Sequence, residues 1–294
     1  MAAPTTLSAP SRPRSTSTPS ARPRRHRMSG WHFFLFPTAL LFMVPFVQMV
    51  LASLSPAAEL VQFPRPLLPS RLTVEGFVGL FTETPALRWL LNSTIVAGSA
   101  IVAQSVLCSL AGYGFARLHF RGRNVSFFAI VATIMIPTQV LMIPTYVLFA
   151  RLGLLDGLTA ATVPWLAGAF GIFLMRQFFL SIPVEMEEAA ALDGCSRLQT
   201  FFRVVLPLAK PALATLAIFT LLGAWNDLVW PLIAINSEHN FTIQLGIANF
   251  QGTRRTQWSL LMAANVVATA PLIAFFLAAQ RQFIATMTLS GMKG

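Results

Sequence analysis

Long apolar runs decide what this chain can become. Six stretches, at about 31–54, 90–116, 125–150, 158–180, 211–235 and 258–279, are each more than 20 residues long and carry at most one charged side chain. A helix of about 20 apolar residues crosses the hydrocarbon core of a bilayer. Hydrophobic residues make up 55% of the 294 and charged residues only 11%, against roughly 25% charged in a soluble domain. A soluble globular enzyme cannot hide that much apolar surface. The expected class is an all-α membrane protein with six transmembrane helices. Prolines inside the runs, such as Pro45, Pro137 and Pro271, predict kinks, which neighbouring helices tolerate in a bundle.

The chain carries a formal net charge of +11. In a soluble protein that charge would point to nucleic acid. Here the basic residues lie in loops beside apolar spans, with no basic–aromatic surface module, so no nucleic-acid partner is expected. With the N-terminus in the cytoplasm, 15 of the 21 basic residues fall inside and six outside. The excess predicts an N-in, C-in, multi-pass topology in contact with membrane lipid. Residues 1–28 hold six arginines and no acid among Ser, Thr and Pro. They read as a disordered, basic cytoplasmic tail, and residues 29–294 as the transmembrane domain. The outer loop 55–88 is proline-rich and extended, with a short helix expected near 75–80. A second outer loop, 236–257, reads as polar and is centred on Asn249-Phe250-Gln251-Gly252.

Two cysteines without a CxxC pair, and four scattered histidines, leave no disulfide framework and no metal site. No G-x-x-x-x-G-K-[ST] loop is present, so the chain has no visible ATP site. An intramembrane hydrolase would need Gly-x-Ser-x-Gly with a membrane histidine, and His32, at the edge of a span, is the only histidine in one. A secondary transporter would usually show an inverted repeat, and none is seen.

The stretch 181–211, between spans four and five, is polar enough for the cytoplasm. Pro183 suits a helix start, and Glu185, Glu187 and Glu188 crowd its first turn, where the dipole favours anions. Gly194 can take positive φ and end that helix. Ser196 caps a second helix, which runs to Leu206 before Pro207. The prediction is a rigid helix–glycine turn–helix held by two spans. On composition alone its bland counterpart, an amphipathic interfacial connector, is the better fit.

Spacing separates the two. Glu188-Ala189-Ala190, three residues, Gly194, nine residues, then Val204, one residue and Leu206-Pro207 resembles the EAA loop of binding-protein-dependent ABC importer permeases. Only Val204 departs, standing where that pattern has Ile. Leu192-Asp193-Gly194, Trp225-Asn226-Asp227, Trp230-Pro231-Leu232, Asn92-Ser93 and Met135-Ile136-Pro137 look like the carbohydrate-uptake branch. The nearest type is the second membrane subunit of maltose and glycerol-3-phosphate importers. The resemblance covers about residues 30–294.

That resemblance implies a transport subunit without catalysis or a cofactor of its own, ATP and Mg residing on partner ATPases. The implied partners are a second permease subunit, two cytoplasmic ATPases and an extracytoplasmic solute-binding protein. The implied cargo is a sugar or glycerol-phosphate-type solute. Peptide, polyamine or oxyanion cargo stays open, because the EAA loop is shared. Glu188, Ala189, Ala190, Asp193, Gly194, Leu206 and Pro207 would couple to an ATPase, with Glu188 facing a basic group there. The tail residues Gly291, Lys293 and Gly294 would reach between the ATPases. Polar or aromatic residues at Asn226, Asp227, Trp225, Asn92, Gln139 and Asn265 are the candidates for lining a translocation path. Asp227 leads them as the only acid within a span, since ionisable residues inside a membrane are functional candidates.

Overall fold

The computed structural model describes residues 31–64, 66–252 and 256–291. These form helices joined by loops, with one isolated antiparallel bridge between Gln251 and Thr256. The basic tail 1–28, Lys293 and Gly294 lie outside the described residues. The chain divides into two units, Met1–Val44 and Pro45–Gly294. The first carries the beginning of α1 (Trp31–Ser53), where every side chain from Phe33 to Val44 is exposed.

The second unit begins with the remainder of α1. A turn, α2 (Ala57–Leu60), and an amphipathic helix, α3 (Glu75–Glu83), follow, so the short helix expected near 75–80 is present. Next comes α4 (Ala86–Arg117), 32 residues long and therefore about 48 Å at 1.5 Å per residue.

The expected third span is not one helix. It is α5 (Arg123–Ala132) and α6 (Thr138–Leu152), bent by 102°. Pro137 causes the break, because the residue before a proline is driven out of the helical region and Ile136 is extended. The fourth span is α7 (Leu158–Thr162), a 3-10 turn and α8 (Ala169–Ser181). The cytoplasmic candidate follows as α9 (Glu185–Leu192), α10 (Arg197–Thr200), a π turn at Phe201–Val205 and α11 (Leu206–Leu208).

The expected fifth span, 211–235, also needs correction. Helix α12 (Lys210–Asn226) stops at an extended Asp227, and α13 (Val229–Ala234) starts afresh. Pro231, without an N–H, cannot extend the α12 hydrogen-bond ladder, and the Asp227 carboxylate accepts from the Trp230 amide at 3.4 Å. The stretch 236–257 holds α14 (Ile243–Asn249), and the expected last span, 258–279, lies within α15 (Trp258–Gly291). That loop is less polar than expected: Ile243, Leu245, Ile247 and Phe250 are buried, with Phe250 packed 5.9 Å from the Trp89 ring.

Among the described residues four helices are long and apolar enough to cross a membrane, or up to six if each of two bent pairs, Arg123–Met135 with Thr138–Leu152 and Arg197–Leu208 with Lys210–Asn226, counts as one span. Helix α4 organises the second unit. Its buried positions run Trp89, Ser93, Val96, Ala97, Ala100, Gln104, Cys108, Gly112 and Ala116. Small residues every three or four positions let α8 and α12 approach closely. At Gly112 an added Cβ would stand 2.8 Å from the Met175 Cβ, so only glycine permits that crossing. Toward its N-terminus α4 enters a core with Trp225, Trp230 and Leu245; toward its C-terminus it enters another with Met175, Phe179 and Phe201.

Candidate functional site

The EAA-type segment folds as a helical hairpin, and local sequence explains most of it. Glu185, Glu187 and Glu188 occupy the first turn of α9, where they complement the dipole. Gly194 has φ 81°, and the amides of Gly194 and Cys195 return to the carbonyls of Ala191 and Ala190 at 3.0 Å each. These bonds satisfy the end of α9. Ser196 and Gln199 then form a complete capping box, with Ser196 N–H donating to Gln199 Oε1 at 2.8 Å. The second helix continues from Arg197 to Leu208, passing through a π turn at Phe201–Val205 ahead of Pro207, whose missing N–H disturbs the ladder.

The hairpin has two faces. Glu188, Ala189, Asp193, Gly194 and Pro207 are exposed, and Leu206 is half-buried. Ala190 is buried at the root, with Phe201 and Val205 behind it. A row of small and acidic positions thus remains available on the outer face.

One anchor of the hairpin was missed from sequence. Glu187 pairs with Arg117 on α4, Nε to Oε1 at 2.5 Å, with both side chains about 13–14% exposed. The Tyr113 hydroxyl donates to Glu187 Oε2 at 2.9 Å, and Arg117 Nη2 donates to the Ile182 carbonyl at 2.6 Å. Tyr113 packs its ring 4.9 Å from Phe201. Seventy residues separate the two charges, so no local spacing announces the pair.

A second feature is an open cavity of about 510 Å³ lined by Thr138, Thr145, Trp165, Gly223, Asp227 and Trp230 together with apolar side chains. Small-molecule sites commonly measure about 300–1,000 Å³. Asp227 faces it from the break after α12, and its Oδ2 accepts from Trp165 Nε1 at 3.2 Å. Trp165 lies against Gly223, where an added Cβ would meet the indole at 2.5 Å. Among the described residues the lining holds no Lys, Arg or His, and neither ion pair involves Asp227.

The remaining path candidates do not gather at this cavity. Trp225 is buried between helices, its Nε1 donating to the Ala268 carbonyl at 3.1 Å. Asn92 is buried and donates to the carbonyls of His239 and Phe241 at 2.8 and 2.9 Å. Asn265 donates back to Leu261 within α15. Asn226 accepts from Gln244 Nε2 at 3.2 Å. Gln139 is exposed beside Thr138. Gly291 closes α15. Among the described residues no cluster of three His, Cys, Asp or Glu could hold a metal ion.

Residues 105–288 match the model of the family described as "Binding-protein-dependent transport system inner membrane component". The arabinooligosaccharides transport system permease protein AraQ of Halalkalibacterium halodurans is 34% identical over 259 residues, covering 87% of this chain and 93% of that protein. The sn-glycerol-3-phosphate transport system permease protein UgpE of Yersinia pestis bv. Antiqua is 33% identical over 262 residues, covering 86% and 93%. Among solved structures, a bacterial ABC transporter involved in the import of the acidic polysaccharide alginate contains a chain with TM-score 0.74 and 25% identity, covering 85% of this chain and 94% of that one. The chain therefore belongs to the inner membrane components of binding-protein-dependent transport systems, a family of membrane permease subunits rather than enzymes.

Proposed function

We propose that this chain is one permease subunit of an ATP-driven importer in a bacterial cytoplasmic membrane. It would cross that membrane six times with both termini inside, α5 and α6 together making the third crossing and α12 with the short α13 the fifth. A second permease subunit completes the path, two cytoplasmic ATPases carry ATP and Mg, and an extracytoplasmic binding protein delivers the solute. The observation that carries this reading is the hairpin at 185–205. It leaves Glu188, Ala189, Asp193 and Gly194 exposed while Ala190 and Phe201 are buried, in a chain of this family. In this reading the ATPase grips the exposed face, and Glu188 meets a basic group on it. The loop 236–257 faces the binding protein.

The cargo is a sugar-type solute. Named relatives handle arabinooligosaccharides and sn-glycerol-3-phosphate, and the cavity favours the former chemistry. Asp227 offers carboxyl acceptors, Thr138 and Thr145 offer hydroxyls and Trp165 an aromatic face. A phosphate brings only negative charge and acceptors, and needs cations or N–H donors in return. The reading is tested by uptake in a gene-deletion strain, with and without the gene restored. Labelled arabinooligosaccharides, maltose-type disaccharides and glycerol-3-phosphate are the probes. Restored uptake of an uncharged sugar is expected. Restored uptake of glycerol-3-phosphate alone would overturn the cargo. Glu188→Lys should abolish that uptake while the protein still inserts, and normal uptake in this variant would sink the coupling assignment.

A further inference from the structure

We infer that α4 is a strut that ties the α9 hairpin to the 236–250 segment, with Glu187, Arg117 and Tyr113 as positioning residues at one end and Asn92 at the other. The inference rests on the reading above, in which the hairpin meets the ATPase and the segment meets the binding protein.

The geometry at the two ends is parallel. At the C-terminal end of α4, Arg117 and Tyr113 both engage the Glu187 carboxylate, at 2.5 and 2.9 Å. At the N-terminal end, Arg88 Nε donates to the His239 carbonyl at 2.9 Å, and Trp89 Nε1 to the Glu238 carbonyl at 3.1 Å. Asn92 Nδ2 donates to the His239 and Phe241 carbonyls, and the Ser93 hydroxyl accepts from the Ile243 amide at 2.8 Å. Between Asn92 and Tyr113 lie 21 helical steps, or about 30 Å. No proline interrupts α4, whereas the expected third span is bent at Pro137 and the expected fifth stops at Asp227.

An unbroken helix transmits a displacement of one end to the other, and a kinked one absorbs it. Glu187 matters because a side chain pinned by two donors at low exposure cannot let α9 slide independently of α4. The adjacent Glu188 has no such contact to α4 and is exposed. The two neighbouring acids therefore divide the labour, one outward to a partner and one inward to the strut. Spatial intermediacy alone does not establish coupling, so the test must read coupling directly.

The experiment uses the complete complex, purified from its host through a tag on this chain and placed in nanodiscs. In a Cys195→Ser background, Glu238→Cys carries a fluorophore, since Glu238 engages Trp89 through its backbone carbonyl. ATP with vanadate should change its emission in the parent. Glu187→Gln should cut that response at least about fivefold, the lower bound of typical coupling factors, while basal ATP hydrolysis stays within roughly twofold, well inside that bound. Asn92→Ala should do the same from the far end. The double variant should be no worse than either single one, because changes in one connected path are not additive. Tyr113→Phe, which keeps the ion pair, should retain most of the response. An unchanged response in Glu187→Gln, or independent losses in the double variant, overturns the strut and leaves the importer reading standing. If Glu187→Gln does not assemble, Asn92→Ala and Tyr113→Phe decide alone. Failure of the parent complex to hydrolyse ATP would instead count against the importer reading itself.

Discussion

At the scale of single residues, positions whose role is local were legible and positions whose role is long-range were not. Gly194 announces its turn because only a few residue types accept φ near +80°. Nothing lies within 4 Å of a Cβ placed there, so the requirement is backbone conformation alone. Gly194→Ala should therefore cost the hairpin about 1–2 kcal/mol, and Gly194→Asn less, since Asn tolerates this region. Hydrogen exchange across 185–205 would show the order, and equal losses would contradict it. Glu187 carried no such sign, because its partners stand on another helix. Removing one side of a buried ion pair costs about 3–5 kcal/mol. Glu187→Ala should fall near the lower figure, because both side chains keep some solvent access; protease sensitivity of the hairpin measures it. Asp227 was legible as the lone acid of a span, but the cavity it faces was not. Asp227→Ala should slow sugar uptake about tenfold, the loss of one or two hydrogen bonds, with the ATPase still co-purifying.

At the scale of elements, sequence located the helices and misjudged their continuity. Hydrophobicity read 125–150 and 211–235 as single runs, because lipid-compatible composition does not stop at a bend. The 102° break at Pro137 and the stop at Asp227 come from missing N–H groups and a side chain competing for the backbone. The 236–257 stretch looked polar because Asn, Gln, Thr and Arg supply most of its polar positions, yet Ile243, Leu245 and Ile247 pack inward. Its start is fastened by Asp156, a non-glycine residue at φ 57° between α6 and α7. The Asp156 carboxylate accepts from the Ser237 hydroxyl, and from the Ser237 and Asn236 amides at 2.6 and 2.8 Å. The Ser237 hydroxyl first, then those two amides, hold the Asp156 carboxyl below its ordinary value. A depressed acid contributes stability above its unfolded value, near 3.9, and loses it as pH falls through the folded one. Exchange protection of the Ser237 amide should therefore stay level from neutral pH down to about 4 and fall below that. Asp156→Asn should lower it throughout that range, and a pH-independent profile in the parent would contradict the assignment.

At the scale of the whole chain, the family and the all-helical, multi-span class were legible, because an EAA spacing and long apolar runs are properties of order along the sequence. What the sequence could not supply is which polar groups meet. Those meetings are set by helix rotation, and small residues such as Gly112 fix rotation only once the neighbour is known. The cavity beside Asp227 shows what depends on that. Among the described residues its lining has no cation for a charged solute, and the uncharged sugar proposed above would move no charge when it crosses. Moving one elementary charge through 100 mV involves about 2.3 kcal/mol of electrical work, which the transport of a phosphate ester would include and that of a sugar would not. Uptake should keep its rate when the membrane voltage is collapsed with ATP held constant, and a rate that followed the voltage would rule out a neutral passenger. Under the sugar reading proposed above, a cell using this importer would feed without drawing on or adding to the voltage that its other transporters share.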